Sequence, residues 1–197
     1  MSNRIEEIFK ECGAILNGHF VLKSLEHSDK YVEKGILYSN PIVFGELCRE
    51  IAQEVSAKSI NIDVVVGSVP IGAAMAQWVA YHLGEIHQKK VYSIFAEKNQ
   101  AGGQVFRKCF HKYLAGKNVL VVDDVLTSGA TIKELLKAII LLKGQTVGVA
   151  VICNRGDLTS ENFYVFPLIS LLKMKLQSWQ EKDCPLCLKK VPIDSKF

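Results

Sequence analysis

Nowhere does the chain carry an apolar run of the ~18 residues that a membrane-crossing helix needs, which excludes a helical membrane span. Its start, Met1-Ser2-Asn3-Arg4-Ile5-Glu6-Glu7, is polar and acidic and contains no signal-peptide core, so the expected location is the cytoplasm, with no membrane partner. The string Gly-x-x-x-x-Gly-Lys-Ser/Thr does not occur, which excludes the phosphate loop of nucleotide triphosphatases. There is no repeat, no low-complexity tract and no long linker. Charge of one sign is also scarce: 24 Lys and Arg against 20 Asp and Glu leave a net +4. So small and dispersed an excess suits an anionic ligand, not the basic groove of a nucleic-acid binder. A single Cys-x-x-Cys, Cys184-Pro185-Leu186-Cys187, without a second pair or a nearby His pair is a weak zinc signal and leaves metal binding open. The other cysteines, Cys12, Cys48, Cys109 and Cys153, lie among apolar or helical neighbours and read as reduced packing residues.

The 197 residues, 49% hydrophobic and 22% charged, suffice for one domain with its own core. One stretch organises them. Val119 to Val122 form an apolar run suited to a central parallel strand, and Asp123 and Asp124 sit where that strand should end. Thr127, Ser128 and Gly129 can turn the chain without bulky side chains, and Thr131 and Glu134 have capping-box spacing at the next helix. A helix start behind a Thr/Ser/Gly loop attracts a phosphate. Carboxylates ahead of such a cradle suit a sugar phosphate, the acids accepting from ribose hydroxyls while the loop holds the 5′-phosphate. A lone Asp-Asp pair, by contrast, commonly just caps a turn.

Around this stretch the periodicity is legible in order. Ile5, Ile8, Phe9 and Cys12 predict a first helix stopped at Gly13. Alternation at both ends of 18–32 predicts a hairpin. Asn40-Pro41 starts a helix whose apolar face runs through Phe44, Leu47, Ile51 and Val55. A strand over 63–67 leads through Ser68-Val69-Pro70-Ile71-Gly72 into a small-residue helix from Ala73 to about Leu83, with Gly84 near its end. Val91 to Phe95 is a further strand, followed by a long polar, glycine-bearing loop over 96–108, of the kind that is usually functional. Ile132, Leu135, Leu136, Ile139 and Ile140 face the core on a helix closed by Gly144. A buried strand over 146–152 ends in Cys153-Asn154-Arg155, and 164–172 supplies a last strand. An Arg at a strand's carboxyl end suits a planar carboxylate held bidentately. Strands alternating with helices give an α/β fold with a mostly parallel central sheet flanked by helices, whose ligands collect at the strands' carboxyl ends.

The string from Val119 to Thr131 closely resembles the phosphoribosyl-pyrophosphate (PRPP) motif of type I phosphoribosyltransferases, and the opening 18–32 is similar to that of the orotate phosphoribosyltransferases. The resemblance implies the type I fold over one domain: a small hood from about 1–40, an α/β core over about 41–172 and a tail over about 173–197. It implies Mg²⁺-dependent transfer of phosphoribosyl from PRPP to orotate in pyrimidine (UMP) biosynthesis, the metal held through PRPP oxygens and water with no direct protein ligand. Asp123 and Asp124 would hold the ribose hydroxyls, and Thr127, Ser128, Gly129, Ala130 and Thr131 the 5′-phosphate. Ser68, Val69 and Gly72 match the pyrophosphate loop, without the Lys that many orotate enzymes carry there. Lys98 aligns with the basic cluster of a flexible catalytic loop. That loop closes over PRPP in the neighbouring subunit of a homodimer. Arg107 and Lys108 match a basic pair, with Cys109 in place of the usual Gly. Lys23, Tyr31 and Arg155 match positions that face orotate, and Leu25 replaces a common hairpin Gly. The cysteine-bearing tail resembles that of several bacterial and archaeal orotate enzymes. Two other readings stay open on the same motif: a purine-base phosphoribosyltransferase, and a non-catalytic PRPP-sensing regulator.

Overall fold

A computed structural model describes residues 2–22, 24–156, 158–164, 166–174 and 176–194. The elements run α1 (Ser2–Glu11), β1 (Ile15–Val21), β2 (His27–Val32), α2 (Lys34–Ser39), α3 (Pro41–Ala57), β3 (Val64–Ser68), α4 (Ile71–His87), β4 (Tyr92–Lys98), β5 (Gln104–Val105), β6 (Asn118–Leu126), α5 (Ala130–Leu141), β7 (Gln145–Asn154), β8 (Leu168–Lys173), β9 (Ser178–Trp179) and α6 (Pro185–Leu188). No helix among the described residues is long and apolar enough to cross a membrane. The chain divides into two units, 45–173 and a second made of 1–44 together with 174–197.

The terminal unit is built on a three-stranded sheet in the order β1-β2-β9. Helix α1 buries Ile5, Ile8 and Phe9, the residues whose spacing marked it, and Gly13 ends it at φ +72°. Strands β1 and β2 pair antiparallel from Ile15↔Val32 to Val21↔His27. Their turn puts Leu25 at φ +66°, the left-handed conformation that a glycine would supply at lower cost. The tail returns to this hairpin as β9, antiparallel to β2 at His27↔Trp179 and Ser28↔Ser178. Helix α2 lies outside the periodic pattern; the Glu33 side chain caps it by accepting from the Gly35 N–H at 2.8 Å. The expected Asn40 cap of α3 is present: its Oδ1 accepts from the N–H groups of Ile42 and Val43 at 3.1 and 3.3 Å.

The central unit is a six-stranded sheet in the order β5-β4-β3-β6-β7-β8, parallel except for the β4–β5 pair. Its inner strands are apolar on both faces because both are covered. Val64, Val66, Val119, Val121, Val149 and Val151 pack with Ile132, Leu135, Leu136 and Ile139 of α5. Val65, Leu120 and Ala150, which alternate with them, are equally buried. Helix α4 packs along β3, β4 and β6.

Three helix boundaries differ from the sequence expectation. Helix α4 runs one turn beyond Gly84, and its left-handed cap is Gln88 at φ +49°. At the end of α5 the left-handed residue is Lys143, at φ +60°, and not Gly144. No capping box forms at the start of α5: the cap is Gly129, and Glu134 instead accepts from Lys137 at 2.6 Å.

Candidate active site

The order of the strands locates the site. From β3 the chain winds outward through α4 to β4; from β6 it winds the other way through α5 to β7 and β8. Neighbours β3 and β6 pair only from Val64↔Val119 to Val66↔Val121, although β3 continues to Ser68 and β6 to Leu126. The strands therefore part at their carboxyl ends, and the loops that follow them flank a crevice at the topological switch point.

One wall is the end of β6. The tandem acids lie within the strand and not beyond it, because β7 keeps pairing with β6 as far as Leu126↔Asn154. Asp123 is half-buried and Asp124 buried. Each carboxylate accepts the next residue's backbone N–H, Asp123 from Asp124 at 3.0 Å and Asp124 from Val125 at 2.6 Å. Thr127 and Ser128 follow, both exposed, and then Gly129 at φ +72°. A Cβ on Gly129 would also lie 2.8 Å from the ring of Phe163, so the position excludes side chains twice over. The first helical bond of α5 runs from the Lys133 N–H to the Gly129 carbonyl at 2.9 Å. The N–H groups of Ala130, Thr131 and Ile132 precede it and have no carbonyl within the helix to reach; Ala130 meets the Ser128 hydroxyl at 3.4 Å. The loop is thus an amide cradle for an anion.

The chain after β7 clasps this loop. Arg155 and Gly156 donate their N–H groups to the Leu126 carbonyl at 2.8 and 3.2 Å. A Cβ on Gly156 would lie 1.8 Å from the Thr127 carbonyl oxygen, so this close approach requires glycine. Asn154 Oδ1 accepts from the Gly156 N–H at 3.2 Å and fixes the turn. Arg155, half-buried, stands at the carboxyl end of β7 beside the cradle.

The opposite wall is the loop from β3 to α4. It folds back so tightly that a Cβ on Gly67 would lie 1.9 Å from the Gly72 carbonyl oxygen. The Val69–Pro70 peptide is cis. The sequence assigns Ser68, Val69 and Gly72 to the anion, but two of them are otherwise engaged. The Val69 N–H continues the ladder with β4, donating to the Ala96 carbonyl at 3.0 Å, and the buried Ser68 hydroxyl donates to Gln104 Oε1 at 3.1 Å. Pro70 has no N–H. The donors left for an anion are those of the first turn of α4, Ile71, Gly72 and Ala73.

The expected long loop over 96–108 is largely a hairpin. Strand β4 continues to Lys98, and β5 pairs back at Glu97↔Val105 and Lys98↔Gln104. Its glycines make the turn: Gly102 takes φ +82°, and Gly103 donates to Asn99 Oδ1 at 2.9 Å. Lys98 ends exposed at the tip side of β4. Arg107 is turned onto its own hairpin, donating through Nε and Nη2 to Glu97 Oε1 at 2.9 and 2.6 Å, which raises its already high pKa.

Within one unit, then, Asp123, Asp124, Thr127, Ser128, Gly129, Ala130, Thr131, Gly72 and Arg155 all come to the carboxyl end of one parallel sheet, and Lys98 ends the strand beside β3. Tyr31 belongs to the terminal unit, where its ring lies 5.6 Å from that of Phe20. Lys23 falls outside the described residues. Sequence reasoning passed over Gln104 and Gly156; for Gly156 the sequence offers a glycine directly after a strand-end Arg, whereas nothing local marks Gln104.

A switch-point crevice with tandem acids on one strand and an amide cradle one turn later defines an α/β protein with a candidate anion site at the carboxyl end of its parallel sheet. Residues 36–183 match the model of the phosphoribosyl transferase domain. Over 187 residues the chain is 34% identical to an orotate phosphoribosyltransferase of Thermoanaerobacter sp. (strain X514), covering 95% of this chain and 92% of that one. The chain belongs to the phosphoribosyl transferase family, in its orotate phosphoribosyltransferase branch. Among solved structures, the fold is similar to the orotate phosphoribosyltransferase of Mycobacterium tuberculosis H37Rv, with TM-score 0.69 and 19% identity over 87% of this chain and 95% of that one. It is also similar to an adenine phosphoribosyltransferase of Thermoanaerobacter pseudethanolicus, with TM-score 0.64 and 17% identity over 88% of this chain and 100% of that one. The fold alone therefore does not choose the base.

Proposed function

We propose that the protein transfers the 5-phosphoribosyl group of PRPP to N1 of orotate, giving orotidine 5′-monophosphate and pyrophosphate, as a cytoplasmic step of UMP biosynthesis. The observation that carries this reading is the crevice between β3 and β6, with carboxylates and the Gly129 cradle on one wall and the first turn of α4 on the other. Arg155 and the orotate phosphoribosyltransferase name shared by relatives at 30–35% identity support orotate over a purine base.

The bond from C1 of ribose to the pyrophosphate oxygen breaks, and a bond from C1 to N1 of orotate forms. Between them the ribose passes through an oxocarbenium-like state. Asp123 and Asp124 hold the 2′- and 3′-hydroxyls and steady that positive ring. The amides at Ala130, Thr131 and Ile132, with the hydroxyls of Thr127, Ser128 and Thr131, hold the 5′-phosphate and so fix C1 in place. The first-turn amides of α4 face the departing diphosphate, and Lys98 adds a cation there when the hairpin closes and excludes water. Arg155 grips the orotate carboxylate in a planar, bidentate pair. Orotate arrives as an anion, so no protein nucleophile is required.

The oxygen donors of Asp123, Asp124, Thr127 and Ser128 fit a hard cation. We infer that Mg²⁺ would be held with the substrate at these residues, with no direct protein ligand, and that it would supply neutralisation of charge on the diphosphate. The active form is inferred to be a homodimer, in which exposed Lys98 serves the crevice of the neighbouring subunit.

The test is turnover. With PRPP and Mg²⁺, orotate absorbance is expected to fall and pyrophosphate to appear, while adenine, hypoxanthine and uracil stay unconverted. Conversion of a purine base with orotate untouched would overturn the assignment.

A further inference from the structure

The terminal unit gathers two histidines from its hairpin and two cysteines from its tail into one cluster: His19, His27, Cys184 and Cys187. The first three are buried and Cys187 is half-buried. Their ligand atoms all lie within 4.8 Å of one another. His19 Nε2 is 2.8 Å from His27 Nδ1, 3.6 Å from Cys184 Sγ and 3.7 Å from Cys187 Sγ, and Cys187 Sγ is 3.3 Å from His27 Nδ1. A tetrahedral zinc with bonds of about 2.0–2.3 Å has ligand–ligand edges of roughly 3.3–3.8 Å, so small side-chain shifts would complete it. The His pair that the Cys-x-x-Cys lacks in sequence is supplied by the fold: pairing of β9 with β2 brings the tail to the hairpin.

A backbone carbonyl orients the His19 ring. His19 Nδ1 lies 2.8 Å from the Val191 carbonyl, which can only accept, so Nδ1 holds the proton and Nε2 offers its lone pair to the cluster. His27 Nδ1 sits 2.8 Å from that nitrogen.

We propose that His19 Nε2, His27 Nδ1, Cys184 Sγ and Cys187 Sγ bind one Zn²⁺ as a closed structural site. Two thiolates and two neutral imidazoles are the donor set that favours zinc over magnesium or calcium, and four protein ligands leave no open position for substrate. Binding releases one proton from each thiol to solvent; no oxidation step is involved. The metal ties the tail to the hairpin, adding to the short β2–β9 ladder, the His19–Val191 contact, Ser28 Oγ donating to the Gln177 carbonyl at 2.7 Å, Ser178 Oγ donating to Glu26 Oε2 at 3.0 Å and Asp194 N–H donating to the His19 carbonyl at 2.7 Å. The site lies in the unit that does not carry the crevice, and the proposal stands or falls apart from the proposed reaction.

The full chain, purified without metal-affinity resin, is incubated with Zn²⁺, dialysed and measured by elemental mass spectrometry. About one zinc per chain is expected, with near-complete loss in the Cys184→Ser, Cys187→Ser double variant. Because that variant can misfold, Co²⁺ is also added to the metal-free wild type. Intense tetrahedral d–d absorption with thiolate-to-cobalt charge transfer is the expected result. A wild type that retains no zinc, a six-coordinate cobalt spectrum, or equal zinc in the double variant would each overturn the proposal.

Discussion

Ser68, the last residue of β3, donates its buried hydroxyl to Gln104 Oε1 in β5 at 3.1 Å, tying the loop that opens α4 to the hairpin that carries Lys98. Gln104 Nε2 is buried beside it with no hydrogen-bond partner among the described residues. Replacing Gln104 by Leu removes the orphaned Nε2 donor but leaves the buried Ser68 hydroxyl without its acceptor, so one unsatisfied group replaces another and the two effects on stability oppose each other. Gln104→Leu is expected to change the denaturation midpoint little while lowering kcat roughly tenfold, the equivalent of ~1.4 kcal/mol of lost positioning. Loss of stability with kcat intact would show that the bond serves packing alone.

Gly129 combines a left-handed φ of +72° with a Cβ position 2.8 Å from Phe163, whose ring is fully buried and cannot step aside. Gly129→Ala is expected to cost on the order of 1–3 kcal/mol in urea denaturation and to raise the KM for PRPP. Gly116→Ala is the control: φ is +70° there, but nothing lies within 4 Å, so only the backbone cost applies and KM stays unchanged.

Lys98→Ala removes a single placed cation. Its expected effect is a loss of about 2–4 kcal/mol of transition-state stabilisation, read as a large fall in kcat with PRPP affinity nearly kept. Titration calorimetry beside steady-state kinetics separates the two.

Arg155→Lys keeps the charge but loses the planar fork. The KM for orotate is expected to rise by roughly 1.5–3 kcal/mol equivalent while that for PRPP holds. An equal rise in both would show that the Arg155 side chain shapes the cradle and does not grip orotate.

Burial pushes the Cys48 thiol from 9.0 up to about 12. The folded protein then holds a proton that the unfolded chain loses, so this contribution to stability is complete below about 9 and disappears as pH rises towards 12. At pH 9 iodoacetamide should label exposed Cys109 promptly and Cys48 only in denaturant; mass mapping of the adducts checks both.

The parallel core was legible because Val64–Val66 and Val119–Val122 are apolar on both faces, and the cradle because small residues directly follow the acids. Less visible was where each strand stops. Asp123 and Asp124 interrupt the apolar run, yet the β7 ladder carries β6 past them, which no local pattern encodes. Strand β5 is two residues long, too short to display alternation, so the stretch after Phe95 resembled a loop. His19 and His27 contributed to the hairpin pattern only as polar residues. Their meeting with Cys184 and Cys187 depends on a pairing between chain ends that sequence spacing does not express.

Calorimetry of PRPP with Mg²⁺ on the wild type and on the Asp123→Asn, Asp124→Asn double variant tests the crevice most directly. One PRPP per chain is expected to bind the wild type, with affinity falling at least about a hundredfold in the variant, the ~3 kcal/mol of two charge-assisted bonds. No heat from the wild type, or equal affinity in a folded variant, would contradict a ribose grip at the end of β6.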